Sequence, residues 1–336
     1  MGARLTPLDH LGLIAVSGED AASFLQNQLT NDVQTLSAGE ARLAGLCSTK
    51  GRLLATFLCW KDDRAVYLEC ARELQDSVQK HLSRFVLRAK ARLTDAGGSF
   101  KLYGLTGDSG RAFLEARFDV PERVWDKRES AAGTVIRVPD SMGYSRWQWI
   151  APTASAGSEV ASASSQLGYA DSSFWRWLEI RAGLPHITLA TQDRFVPQML
   201  NFEALGGVSF KKGCYPGQEV VARSQYLGKL KRRMTVATVT AVARSAGQPD
   251  AANPLPGTDV MAASTDQAER TEAVGTVVNA EPSPAGGLDL LVELPIATIG
   301  SADPSIALTT AAGHRLELLP LPYPLPDQEV FIRPKL

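Results

Sequence analysis

Short apolar runs of β-type residues, cut apart by turn residues, recur along most of this chain. That spacing constrains the fold more than any other feature. Leu11 to Val16, Arg42 to Cys47, Leu53 to Trp60 and Ala65 to Cys70 each read as a strand. Ser48-Thr49-Lys50-Gly51-Arg52 lies between the second and third runs, with Gly51 supplying a hairpin turn. Ser17-Gly18-Glu19-Asp20 has the form of a capping box ahead of a helix whose apolar face is Ala21, Phe24, Leu25 and Leu29. Leu74, Val78, Leu82 and Phe85 recur at helical spacing, and the alternation from Val86 to Leu93 resumes a strand. Strands and helices in this order, mixed with hairpins, predict an α+β fold with helices on one face of the sheets.

Ala151 to Gln166 is small and polar and reads as an exposed loop. Asp171-Ser172-Ser173 then caps a helix with Trp175, Leu178, Glu179 and Ala182 on one stripe, ended by Gly183 and Pro185. Beyond residue 228 the texture changes. Met234 to Val242, Thr258 to Ala263, Ala273 to Ala280 and Leu288 to Pro295 are short β-type runs, which predict a small C-terminal barrel or sandwich. The joint falls near Gly228 to Arg233.

Composition excludes several classes. A net charge of −1 provides no global field for nucleic acid or anionic lipid. No apolar run is long enough to span a membrane, and the N-terminus lacks a leader pattern, so the expected compartment is cytoplasmic. Cys47, Cys59, Cys70 and Cys214 form no C-x-x-C pair, and His10, His81, His186 and His314 are scattered. These spacings predict free thiols and no metal site.

One cysteine has a chemical context. Cys214 sits in Lys211-Lys212-Gly213-Cys214-Tyr215-Pro216-Gly217-Gln218-Glu219, where glycines allow close backbone approach and two lysines favour thiolate. Gly217 to Ala222 reads as the start of a helix. A buried cysteine in a turn is the alternative these residues leave open. Cys47, Cys59 and Cys70 lie in or beside β-type runs and are expected to be buried and inert.

Phe210 to Arg223, FKKGCYPGQEVVAR, resembles the K-G-C-Y-x-G-Q-E signature of the YgfZ family of folate-binding proteins. FLQNQLTNDV (Phe24 to Val33), Lys50-Gly51-Arg52, Ile180 to Pro185, Phe195-Val196-Pro197-Gln198 and Leu205 to Phe210 are similar to family segments in the same order. The resemblance implies kinship with the aminomethyltransferase (T protein) of the glycine cleavage system. It therefore implies a three-domain α+β fold around a central folate pocket, with a C-terminal β-barrel. In this chain 1–228 would form two interleaved subdomains, with inner boundaries near 48 and 145, and 229–336 the barrel.

It further implies a tetrahydrofolate-binding accessory factor for assembly or maintenance of iron–sulfur clusters in client enzymes, including tRNA-thiolating radical enzymes. Cys214 is the residue to which that role maps. The implied cofactor is tetrahydrofolate or a derivative; the partners are that folate and, transiently, the client enzymes. Two pocket tryptophans of the family map to Trp175 and to Leu11, where this chain departs. Trp175 reads equally as core. Lys212, Tyr215, Gln218, Glu219 and Arg223 complete the candidate binding set, though Glu219 would also complement a helix dipole. Arg223, Lys229, Lys231, Arg232 and Arg233 read as a solvated charged face or a contact for an acidic partner. Two alternatives remain: a folate-dependent aminomethyl or methyl transferase, and a non-catalytic RNA-binding module. Direct nucleic-acid binding is not expected, because no stacking-aromatic signature accompanies the near-neutral charge.

Overall fold

The computed structural model describes residues 2–226, 230–239, 255–264, 271–300 and 306–326. Three sheets organise them. The first has five antiparallel strands in the order Ala41–Cys47, Leu53–Lys61, Ala65–Ala71, Leu11–Ser17 and Arg92–Asp95. Gly51 takes φ 71° in the hairpin, as its position predicts. The Arg72–Ser83 helix buries Leu74, Val78 and Leu82 against this sheet. Phe85 lies past the helix end and is exposed. The expected strand from Val86 is cut to Arg92–Asp95, because Leu87 adopts a left-handed backbone and Ala89 N–H turns back to Val86 O. A helix does start at Ala21, but no capping box forms: the Asp20 carboxylate accepts from Lys90 N at 2.8 Å instead.

The second sheet runs Gly168–Tyr169, Arg4–Pro7, Phe100–Thr106, Tyr144–Pro152, Gly133–Ser141 and Lys127–Ser130. Here the sequence reading needs one correction. Thr153–Gln166 is a helix, not a loop. Its alanines explain this. Ala156 and Ala163 share a helical face and are buried with Leu5, Leu105 and Trp149, and alanine is the strongest helix former. Docking of one face outweighs the serine-rich composition of the other. The Ser172–Arg181 helix begins as predicted, with Ser173 N donating to Asp171 Oδ1 at 2.8 Å. It ends at Gly183, where φ is 67°.

The C-terminal sheet has six antiparallel strands, ordered Ile306–Thr310, Asp259–Ser264, Thr271–Pro282, Leu288–Pro295, Arg232–Val239 and Glu317–Leu319. It curls into a half-barrel. Residues 240–242 of one predicted run, and Gly228 and Lys229 at the joint, lie outside the described residues. Polar bonds seat this sheet on the rest of the chain. Trp177 Nε1 donates to Asp289 Oδ2 at 2.7 Å, and Arg176 pairs with Glu281. His186 N donates to Asn279 Oδ1, and Asn279 Nδ2 returns a bond to His186 O, each at 3.0 Å. The Arg176–Glu281 and His186–Asn279 contacts border a cavity.

Candidate functional site

The cavity has a volume of about 770 Å³ and lies where the first sheet, the Ser172–Arg181 helix and the C-terminal sheet meet. Asp9 to Leu11 and Ala71 to Glu73 form one wall. Arg176, Glu179 and Ile180 form a second, and Asn279 to Glu281 with Leu255 and Pro256 a third. Much of the lining is aliphatic: Leu11, Ile180, Leu184 and Leu189.

Glu179 is the fixed charge of this site. Trp175 Nε1 donates to its Oε1 at 2.9 Å, and its Oε2 lies 3.3 Å from His186 Nε2. Burial opposes ionisation of this carboxyl, but His186, His10 and Arg146 outweigh it and hold the group down to about 2. The reverse holds for His186: burial works against its proton, and Glu179 more than restores it. His10 lines the cavity with both ring nitrogens buried and meeting no partner among the described residues. Burial lowers its pKa to about 4, against the pull of Glu179.

Glu69 stands deeper, accepting from Gln148 Nε2. Burial, and then the charge of Glu179, push its carboxyl up to about 8. A raised folded-state pKa means that the folded protein holds this proton more tightly than the unfolded chain. The contribution is therefore intact below the unfolded value near 4.5 and is lost as pH rises towards 8. Glu69→Gln removes the titration. Relative to wild type, the variant should gain on the order of 3 kcal/mol between about pH 5 and pH 8 in urea unfolding. A difference that stays constant with pH would contradict the assignment.

The cysteine loop forms a separate centre, and four of the five family-like segments converge on it, whereas Ile180 to Pro185 lines the cavities. Lys212 is buried. Its Nζ donates to Gln26 O and, at 2.5 Å, to Leu29 O, and it lies 5.0 Å over the Tyr215 ring. Burial lowers its pKa to about 8, opposed by the charges of Asp32 and Cys214. Thr30 Oγ1 donates to Gly207 O at 2.6 Å, and Gln198 Nε2 donates to Val221 O at 2.7 Å. Gly217, at φ 76°, packs onto the Lys50-Gly51-Arg52 turn. A Cβ there would sit 2.6 Å from Gly51 Cα. Gly217→Ala should therefore cost about 2 kcal/mol, from the left-handed backbone and the clash together. An unchanged urea midpoint would refute this packing. Held from beneath in this way, Cys214 is exposed. The other cysteines are buried, as expected, and burial pushes the Cys47 and Cys70 thiols up to about 12 and Cys59 further.

The predicted set is thus divided between two places. Leu11 lines the cavity. Trp175 is fully buried, packs with Leu11 and Trp60, and stands behind the lining, where it holds Glu179. Lys212, Tyr215, Gln218, Glu219 and Arg223 belong to the cysteine loop and the Gln218–Tyr226 helix, and none lines the cavity. Glu219 and Arg223 pair with each other on the surface at 2.8 Å. The expected basic cluster is dispersed: Arg232 pairs with Glu293, and buried Arg233 with Glu203 at 2.5 Å. Lys229 lies outside the described residues.

Sequence reading had not singled out His10, Glu69, Arg146, Gln148, Glu179 or His186 as site residues. A signal existed. Glu69 and Glu179 are acids inside apolar patterns, and Arg146 and Gln148 alternate with Trp147 and Trp149 on one strand.

Residues 2–135 match the model of the GCVT N-terminal domain. The chain is 30% identical over 327 residues to the tRNA-modifying protein YgfZ of Serratia proteamaculans, covering 97% of this chain and 94% of that one. It is also 30% identical over 336 residues to the Klebsiella pneumoniae protein of the same name, covering 96% and 94%. Among solved structures, glycine cleavage system aminomethyltransferase T from Bartonella henselae superposes with a TM-score of 0.67 at 16% identity, over 97% of this chain and 87% of that one. That likeness fixes the aminomethyltransferase-like α+β fold. Identity sustained over nearly the whole length, together with a family-like signature around Cys214, places this chain in the YgfZ family.

Proposed function

We propose that the chain binds tetrahydrofolate or a derivative in the central cavity and acts through Cys214 in assembling or maintaining iron–sulfur clusters of client enzymes, including enzymes that thiolate tRNA. The observation that carries the folate half is Glu179. An ionised carboxylate fixed by Trp175 and His186, in a largely aliphatic cavity of about 770 Å³, suits a flat heterocycle with N–H donors on one edge. His10 brings two buried nitrogens in need of partners to the same cavity. Leu11, Ile180 and Leu184 would hold the ring faces. When bound, the folate would supply a carrier for a one-carbon unit. The names of the relatives, tRNA-modifying protein YgfZ, support the tRNA side of the reading.

The thiol half rests on contrast. Three cysteines are buried with raised pKa values, whereas Cys214 is exposed on a loop braced by Lys212 and Gly217. Because no loop residue lines the cavity, folate occupancy and thiol chemistry are separate tasks. Purified protein should retain tetrahydrofolate through rapid gel filtration, and Cys214→Ser should retain it equally. Elution without folate from a saturating mixture would overturn the cavity assignment.

A transferase is the second reading, and Glu179 favours it. An ionised buried carboxylate near a folate is what stabilisation of a developing cationic amine requires. One-carbon transfer from an aminomethyl-lipoyl protein to tetrahydrofolate, lost in Glu179→Gln, would select it.

A further inference from the structure

A second, inner chamber of about 40 Å³ shares Glu179, Leu184 and His186 with the large cavity. Glu69, Gln148 and Arg146 line it, and Trp125 closes it towards a recess on the surface. Arg146 is fully buried. Its Nε donates to Pro139 O at 2.7 Å, and its guanidinium carbon lies 4.9 Å over the Trp175 ring. Both terminal nitrogens, Nη1 and Nη2, are also buried and meet no acceptor among the described residues. Leaving such donors unmatched is costly.

The nearby acids do not match them. Glu179 accepts from Trp175 and faces His186, and Glu69 accepts from Gln148. Charge points the same way. Arg146 is positive, Glu179 offsets one charge, the neighbouring Arg137 and Asp140 pair with each other, and Glu69 stays neutral until pH approaches 8. Any proton held by His186 leaves an excess of positive charge away from solvent.

We propose that the inner chamber is an oxyanion site, in which the two open nitrogens of Arg146 receive a compact carboxylate or carbonyl oxygen of formate size. The planar guanidinium fork matches such an acceptor. A space of about 40 Å³ suits a group of a few heavy atoms. The oxygen can belong to free formate or to a formyl group carried on a folate that enters through the shared wall. The second source rests on the proposed reading of the large cavity; the first does not.

The test is a titration with sodium formate against a sodium chloride control at equal ionic strength. Tryptophan fluorescence is the readout, because Trp125 lines the chamber and Trp175 lies under the guanidinium. A saturable response in wild type, weakened about tenfold or more in Arg146→Met, is expected. No response beyond chloride, or equal formate affinity in a folded Arg146→Met variant, overturns the site.

A second variant keeps the proposal testable if Arg146→Met does not fold. Rising pH ionises Glu69 and discharges His186, while Glu179 stays negative and Arg146 stays positive, its pKa lowered by burial only to about 10. Both changes repel an anion. Formate affinity should therefore fall between about pH 6 and pH 9, and Glu69→Gln should retain more of it at the upper end. An affinity independent of pH in both proteins overturns the site. Titrating 5-formyltetrahydrofolate and tetrahydrofolate separates the sources. Selective weakening of the formyl compound in Arg146→Met assigns the carried group, and a formate response without that selectivity assigns the free anion. If wild type binds neither folate, the cavity reading fails and the formate result alone decides the chamber.

Discussion

Glu179→Gln is expected to weaken tetrahydrofolate binding by about 100-fold, the scale of one charge-assisted hydrogen bond lost from a buried site. The substitution keeps shape and removes charge. The amide can still meet Trp175 Nε1, but it no longer balances His186 and Arg146, whose fields converge on this carboxyl. Removing one member of a buried charged set leaves the others uncompensated, so stability should fall as well. Affinity is therefore to be compared below the unfolding temperature of the variant. Trp175→Phe makes a useful contrast: it keeps the Glu179 carboxylate and removes the bond that orients it, together with part of the packing against Leu11 and Trp60 and of the ring under Arg146, and should cost affinity roughly tenfold or less. Full affinity in Glu179→Gln would mean that the carboxylate does not face the ligand.

Cys214→Ser should abolish support of iron–sulfur client enzymes in cells while leaving fold and folate affinity intact. Serine matches the size of the thiol but forms neither a thiolate nor a soft ligand at neutral pH. The side chain is exposed, so no core contact is lost. The expected readouts are loss of tRNA thiolation in complemented cells and an unfolding midpoint within about 0.5 kcal/mol of wild type. Cys47→Ser supplies the opposite pattern, because it places a hydroxyl in a buried position and should lower stability without touching the exposed thiol. Full thiolation with Cys214→Ser would mean that the thiol is not needed to support the client enzymes.

Much of this was legible in the residues, for identifiable reasons. Hairpins such as Ala41–Cys47 with Leu53–Lys61 follow local rules, since alternation and a glycine at positive φ suffice. The cysteine loop is contiguous, so its residues could be named before their surroundings were seen. Thr153–Gln166 was misread because its serines suggest a loop, whereas Ala156 and Ala163 are helical only through burial against distant strands. The cavity was hardest to see. Glu69, Arg146, Glu179 and His186 come from four separate segments and meet only when the sheets close around them. Each alone looks like an odd charge in an apolar pattern. The family-like position at Trp175 lies on the helix that lines the cavity, but the polar side chain facing the cavity is its partner one turn on, Glu179.

Calorimetric titration of tetrahydrofolate into wild type, Glu179→Gln and Cys214→Ser decides whether folate occupies the cavity beside Glu179 while Cys214 works apart from it. The predicted result is saturable binding in wild type and Cys214→Ser, with binding about 100-fold weaker in Glu179→Gln. Absence of binding in wild type, or its loss in Cys214→Ser with Glu179→Gln unaffected, would contradict it.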